Sequence, residues 1–268
     1  MRIGDSKAAR LISVLMNSPV EFRDRALMIV DSRLPRMARR QPRYAVSDWK
    51  LVVQRLGGAL GCDLETALNE TERIDLESRL YRRMESLPSE APFGAFHNGD
   101  LALARLCYAL VRVLEPECVM ETGVCYGVTT AFTLAALTRN RKGSLHSIDL
   151  PPLGRDADQF VGWAIPDDLL KKRWQLHRGT SRKILPTLLE RIETLRLFVH
   201  DSLHTYANMR MEFELIWPIL RPGGVLISDD IQGNTAFLEL TERKDVAFHA
   251  VVRELEKESL LGVLVKTT

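Results

Sequence analysis

Between residues 118 and 228 short apolar runs alternate with helix-forming stretches, and that alternation leaves few folds open to the chain. The runs are Cys118–Glu121, Ser144–Asp149, Trp174–Arg178, Leu195–His200 and Gly224–Ser228. Strands this short and apolar, separated by helical segments, pack as a parallel sheet covered on both faces. The expected architecture is α/β: a Rossmann-like, doubly wound, mostly parallel sheet. In such sheets ligands sit beyond the carboxyl ends of the strands, so the residues that end each strand become the candidates for function.

The flanking segments read differently. From about residue 6 to 87 apolar residues recur at three-to-four spacing, as in Leu11, Val14 and Leu15, then Trp49, Val52, Val53 and Leu56. This predicts helices, with Asp63 capping one that starts at Leu64. Pro88 and Pro92-Phe93-Gly94 punctuate the chain like a junction. The division expected is a helical extension over 1–92, serving as a cap or an oligomerisation element, and an α/β domain over 93–268. Asn98 or Asp100 is placed to cap a helix over Leu101–Leu114. Near the C-terminus the pattern predicts a helix over Val246–Glu258 and one further strand, Gly262–Lys266. The long segment Pro151–Asp168, with Phe160 and Trp163 among glycines and prolines, is either a lid or a plain surface excursion.

No apolar run approaches the length of a membrane span, and no clear signal-peptide cleavage site follows the N-terminus, so a cytoplasmic protein is expected. Cys62, Cys107, Cys118 and Cys125 form no metal-finger spacing and are read as reduced packing thiols. Residues 1–50 hold eleven Lys/Arg against five Asp/Glu, densest around Arg33, Arg36, Arg39, Arg40 and Arg43. A nucleic-acid or anionic-partner surface is one reading of this run; it carries no interleaved aromatic platform for single strands, and a solvated or interdomain face is the expectation.

The strand ends carry acids and small polar groups: Glu121, Thr122 and Gly123; Asp149; Gly179, Thr180 and Ser181; His200, Asp201 and His204; Ser228, Asp229 and Asp230. Strand one runs into a glycine turn, Glu121-Thr-Gly-Val-Cys-Tyr-Gly127, and then a helix. Glycines there let backbone approach a ligand, and the helix start presents free N–H groups. Asp149, some 20 residues on, is placed to accept from ribose hydroxyls. Asp201, Asp229 and Asp230 end neighbouring strands; carboxylates so close repel unless a cation, a base or a proton relieves them. Oxygen ligands suit Mg²⁺, while the bland alternative makes Asp229 or Asp230 a loop cap. His204 is either catalytic or structural. His200 is expected to be structural, since side chains alternate along a strand.

The E-x-G-x-x-x-G turn resembles the S-adenosylmethionine (SAM) signature of class I methyltransferases. Leu197-Phe-Val-His-Asp-Ser-Leu-His-Thr-Tyr206 and Trp217-Pro-Ile-Leu-Arg-Pro-Gly-Gly-Val-Leu-Ile-Ser-Asp-Asp230 closely resemble the metal-dependent O-methyltransferases, of the catechol type and the bacterial natural-product and sugar branch. The resemblance covers about residues 95–230. It implies SAM bound by Glu121, Thr122, Gly123, Tyr126, Gly127, Asp149, Thr180, Ser181 and Asp201. It further implies Mg²⁺ on Asp201, Asp229 and Asp230, His204 as base, and a small-molecule hydroxyl, sugar or vicinal diol as acceptor. Asp230 stands where the catechol branch has asparagine, which points to the natural-product branch. Trp163, Tyr206 and Phe237 are candidate acceptor-site aromatics. Two other readings stay open: metal-independent N-methyl transfer, and a silent SAM-binding module. A homodimer through the N-terminal helices is the one expected protein partner; neither a membrane nor nucleic acid is.

Overall fold

A computed structural model describes residues 7–33, 42–93, 100–153, 156–170, 172–255 and 257–267. His97, Asn98, Arg36, Arg39 and Arg40 lie outside the described residues. The chain opens with helices α1 (Lys7–Asn17), α2 (Pro19–Arg33), α3 (Trp49–Leu60), α4 (Leu64–Asn69) and α5 (Leu76–Glu85). Then α6 (Leu101–Leu114) leads into β1 (Cys118–Thr122), α7 (Val128–Asn140), β2 (Ser144–Asp149), α8 (Asp167–Leu170), β3 (Trp174–Arg178) and α9 (Ser181–Leu189). After these come β4 (Leu195–His200), α10 (Tyr206–Ile219), β5 (Leu220–Ser228), α11 (Ala236–Thr241), β6 (Val246–Arg253) and β7 (Leu260–Lys266). Side-chain caps start several helices as the sequence predicts: Asp63 accepts from the Thr66 N–H at 3.0 Å and Asp100 from the Ala102 N–H at 2.6 Å.

The sheet has seven strands in the order β3-β2-β1-β4-β5-β7-β6. The first five are parallel, and β7 runs antiparallel to both β5 and β6. Alternation along the central strands divides the core. Val119, Leu197, Val199, Val225 and Ile227 join a cluster with residues of α3 to α7, whereas Met120, Phe198 and Leu226 join one built on α9, α10 and α11. The N-terminal helices α3, α4 and α5 therefore share their core with the sheet. Each fully buried leucine or phenylalanine in these layers stabilises the fold by about 1.5–3 kcal/mol.

One element differs from the expectation. Residues 246–253 form strand β6 where the sequence predicts a helix, so the C-terminus supplies two strands. Val246-Ala-Phe-His-Ala-Val-Val252 is a short run rich in β-branched residues, and Phe248, Ala250 and Val252 alternate onto one face of the sheet. A run of that length satisfies both periodicities; pairing with β7 decides between them. The Arg221-Pro-Gly-Gly224 turn also lies within β5, where the register against β4 shifts between Leu195 and Leu197. Among the described residues no helix is long and apolar enough to cross a membrane.

Candidate active site

The strand order reverses at β1, and the crevice between the ends of β1 and β4 is where a doubly wound sheet leaves room for a ligand. A cavity of about 660 Å³ opens there, lined by Gly123, Asp149, Thr180, Ser181, Asp201, His204, Asp229 and Asp230 among others. Thus eight residues expected from the strand ends meet in one space.

Gly123 has φ +87°, and a Cβ on it would lie 1.8 Å from the Asp201 carbonyl oxygen. Only a glycine lets the β1 turn lie against the β4 end in this conformation. Asp149 holds the turn from the other side: its Oδ2 accepts from the Val124 and Cys125 N–H groups at 2.7 and 3.0 Å. Burial pushes the Asp149 carboxyl up, and the two N–H groups oppose that. At the start of α9 the Thr180 Oγ1 is buried without a partner, and the residue lines the cavity.

Four expected cofactor residues lie beneath this surface and do not line the cavity. Glu121 is 1 % exposed; its Oε1 accepts from Thr130 at 2.7 Å and Ser147 at 2.6 Å, and its Oε2 has no partner. Burial raises Glu121 to about 7. Thr122, one residue on, faces the opposite side and donates to Glu212 at 2.7 Å. The Tyr126 hydroxyl donates to the Phe93 carbonyl at 2.7 Å. Gly127 has φ +88°, and a Cβ on it would lie 2.9 and 2.7 Å from Gly162 and Ile165. The segment after β2 is accordingly packed: Gly162 and Ala164 donate to the Cys125 and Tyr126 carbonyls, both at 2.9 Å.

At the ends of β4 and β5, Asp201, His204 and Asp229 bring one ligand atom each within 4.8 Å of one another. His204 Nε2 lies 3.8 Å from Asp201 Oδ1 and 3.7 Å from Asp230 Oδ2. Asp229 is 1 % exposed, with Oδ1 unpartnered. Burial, then the charge of Asp229, pushes Asp201 well above the usual carboxylate range. Burial, with His200 adding to it, lowers His204 to about 4, so its imidazole is neutral at neutral pH. The orphaned buried carboxylate oxygen of Asp229 and the neighbouring Asp201 carboxylate are the donors here that suit a hard divalent ion. Asp230, the third ligand expected from the sequence, sits at the margin with φ +49°, its Oδ1 accepting from Gln232 at 3.1 Å.

His200 is fully buried under this cluster, its Nδ1 2.7 Å from Glu212 Oε2. Burial acts to raise Glu212, but His200 and hydroxyl donors override it and hold the carboxyl at about 2. Ser202 and Asn208 complete the network by donating to Glu212 Oε1 at 2.9 and 3.0 Å.

Other lining residues were not visible as such in the sequence. One face of α2, Asp24, Leu27, Met28 and Asp31, closes a side of the cavity. Arg178 ties that helix to the sheet through Glu21 at 2.7 Å and also pairs with Asp158. Pro92, Phe93 and Lys257 line the cavity as well. Helical spacing at 24, 27, 28 and 31 was the available signal for α2. The expected acceptor-site aromatics lie elsewhere: Trp163 donates to the Arg83 carbonyl, Tyr206 bonds Glu239, and Phe237 is core against Gly262.

Comparison with known proteins agrees with this fold. A family model described as a methyltransferase domain matches residues 120–231. The fold is similar to an O-methyltransferase from Bacillus cereus in complex with SAH (TM-score 0.51, 17% identity, covering 76% of this chain and 100% of that one). It is also similar to the O-methyltransferase TomG from Streptomyces achromogenes, involved in tomaymycin synthesis and in complex with SAM (0.52, 17%, 72% and 89%). The SAH-bound methyltransferase PaMTH1 of Podospora anserina is another (0.52, 11%, 84% and 100%). No curated protein matches the sequence. The strand order and the likeness to these structures are those of one fold, and the family model describes residues 120–231 of it as a methyltransferase domain.

Proposed function

We propose that this chain transfers a methyl group from SAM to a hydroxyl oxygen of a small molecule, a natural product, sugar or vicinal diol, with help from a divalent cation, Mg²⁺. The observation that carries the reading is the convergence of Asp201, His204 and Asp229 in the same cavity as the glycine turn. SAM supplies an activated methyl group, so the protein has to position the acceptor and raise its nucleophilicity. Gly123, Asp149, Thr180 and Ser181 are the residues that would hold it, with Asp149 toward the ribose. Glu121, Thr122, Tyr126 and Gly127 shape the turn from beneath.

Asp201 and Asp229 would hold the cation, with Asp230 at its margin; a bound ion supplies positive charge that acidifies a nearby hydroxyl. His204 presents a neutral imidazole at the same place and takes the acceptor's proton on Nε2. Its low basicity makes it a competent acceptor only for a hydroxyl already acidified. Leu27 and Met28 of α2, with Phe93, give the cavity an apolar wall against which the body of the acceptor can rest. The neighbour named for tomaymycin synthesis supports a natural-product acceptor by analogy of fold.

The test is methyl transfer from labelled SAM to a panel of catechols and vicinal diols, with and without Mg²⁺, by wild type and Asp229→Asn. Turnover that needs the ion and is lost in Asp229→Asn supports the reading. Turnover indifferent to chelation, or methyl appearing only on amines, overturns it.

A further inference from the structure

Among the described residues no apolar side chain of α1 or α2 belongs to either core cluster or packs against one. Helix α2 has its polarity reversed. Asp24 and Arg25 are 7 % and 9 % exposed, whereas Val20, Leu27, Ile29 and Val30 are 42–51 % exposed. A helix docked by the hydrophobic effect turns its apolar stripe to the core. This one is held by other forces.

Ion pairs supply them. Glu21, in the first turn of α2, accepts from the Arg178 guanidinium at 2.7 and 3.3 Å and from Arg25 Nε at 2.8 Å. Toward the other end of the helix Asp31 lies 3.5 Å from Arg182. Arg178 ends β3 opposite Asp149 of β2, and Arg182 stands in the first turn of α9. The two latches therefore bracket Gly179, Thr180 and Ser181 in the chain. Between them on α2, Asp24 and Met28 line the same cavity as those three residues and Asp149. The helix thus crosses the end of the cavity where Asp149 faces the ribose in the SAM reading.

We propose that α2 is a charge-latched strap over the cofactor site, and that SAM and SAH pass only when the Glu21–Arg178 and Asp31–Arg182 pairs open. The inference rests on the SAM reading of the cavity and adds to it a segment outside residues 120–231. Ion pairs with exposed partners are weak and screened by salt, and the Arg178 and Arg182 side chains are 44 % and 47 % exposed. Elements with few buried apolar contacts open at low cost. Val20, Leu27, Ile29 and Val30, already about half in water, lose little when the helix lifts.

The experiment follows release of labelled SAH from the full chain, chased with excess unlabelled SAH. Wild type, Glu21→Gln and Arg178→Ala are compared at about 0.05 M and about 0.5 M NaCl, with melting curves confirming that each is folded. Neither substituted residue lines the cavity, and Glu21 is part of α2 itself. Both variants are expected to release SAH about fivefold faster or more at low salt. High salt is expected to speed release from wild type and narrow the gap. Equal rates from folded wild type and variants, or wild-type release that salt leaves unchanged, overturns the strap and leaves the SAM site standing. No SAH binding by folded wild type overturns the SAM reading and the strap with it.

Discussion

Replacing Glu121 by glutamine isolates what a buried, half-satisfied carboxylate costs this fold. Two hydroxyls donate to Glu121 Oε1, its Oε2 has no partner, and burial raises the group from the ordinary 4.5 to about 7. A tenfold change in proton affinity is worth about 1.4 kcal/mol, so ionising Glu121 in the folded state costs about 3 kcal/mol more than in the unfolded chain. The sign follows from the native state holding the proton more tightly. Below the unfolded value both states are protonated and the cost is absent. It grows as pH rises and is complete above about 7. Glutamine has no proton to lose, so Glu121→Gln escapes the cost. Other titrating groups, shared by both proteins, cancel in the difference between them. Urea unfolding from about pH 5 to about pH 8 is the assay. The stability of Glu121→Gln minus that of wild type is expected to rise by about 2–3 kcal/mol across that range. Parallel stability curves for the two proteins would refute the reasoning, because they would mean that Glu121 is ionised at no cost.

Two further perturbations probe the scaffold around the site. His200→Leu leaves the Glu212 carboxylate buried without its imidazole partner, and should lower stability in urea by about 3–5 kcal/mol; a loss below about 1 kcal/mol would show the pair to be dispensable. Arg178→Ala removes the partly exposed link from β3 to Glu21 and Asp158, and should cost about 1 kcal/mol or less globally. Amide exchange in α2 should nevertheless quicken, and unchanged exchange there would show that other contacts hold the helix over the cavity.

The site was legible in the sequence to the extent that strand ends define it. Once five strands are placed between residues 118 and 228, the rim residues Gly123, Asp149, Thr180, Asp201, His204 and Asp229 follow from their position alone. Which strand-end side chains look into the cavity was harder to read. Glu121 and Thr122 end β1 but project to opposite faces of the sheet, into α7 and α10, and only the turn after them reaches the cavity. Contributions from distant segments were invisible for a different reason. Helical spacing marks Asp24, Leu27, Met28 and Asp31 as one face of α2 without saying what that face meets, and no local rule brings Lys257 to the cavity. The helix expected over Val246–Glu258 fails in the same way: the short apolar run satisfies both periodicities, while the pairing with β7 that makes residues 246–253 a strand depends on residues further along.

The claim on which everything rests is that the crevice between β1 and β4 is a SAM site bounded by Gly123. Calorimetric titration of SAM into wild type and Gly123→Ala tests it most directly. In the variant the φ of +87° is strained, and a Cβ at 1.8 Å from the Asp201 carbonyl forces the two strand ends apart. The account predicts saturable SAM binding by wild type and binding about tenfold weaker or worse by folded Gly123→Ala. No SAM binding by folded wild-type protein, or equal affinity in the two, would contradict it.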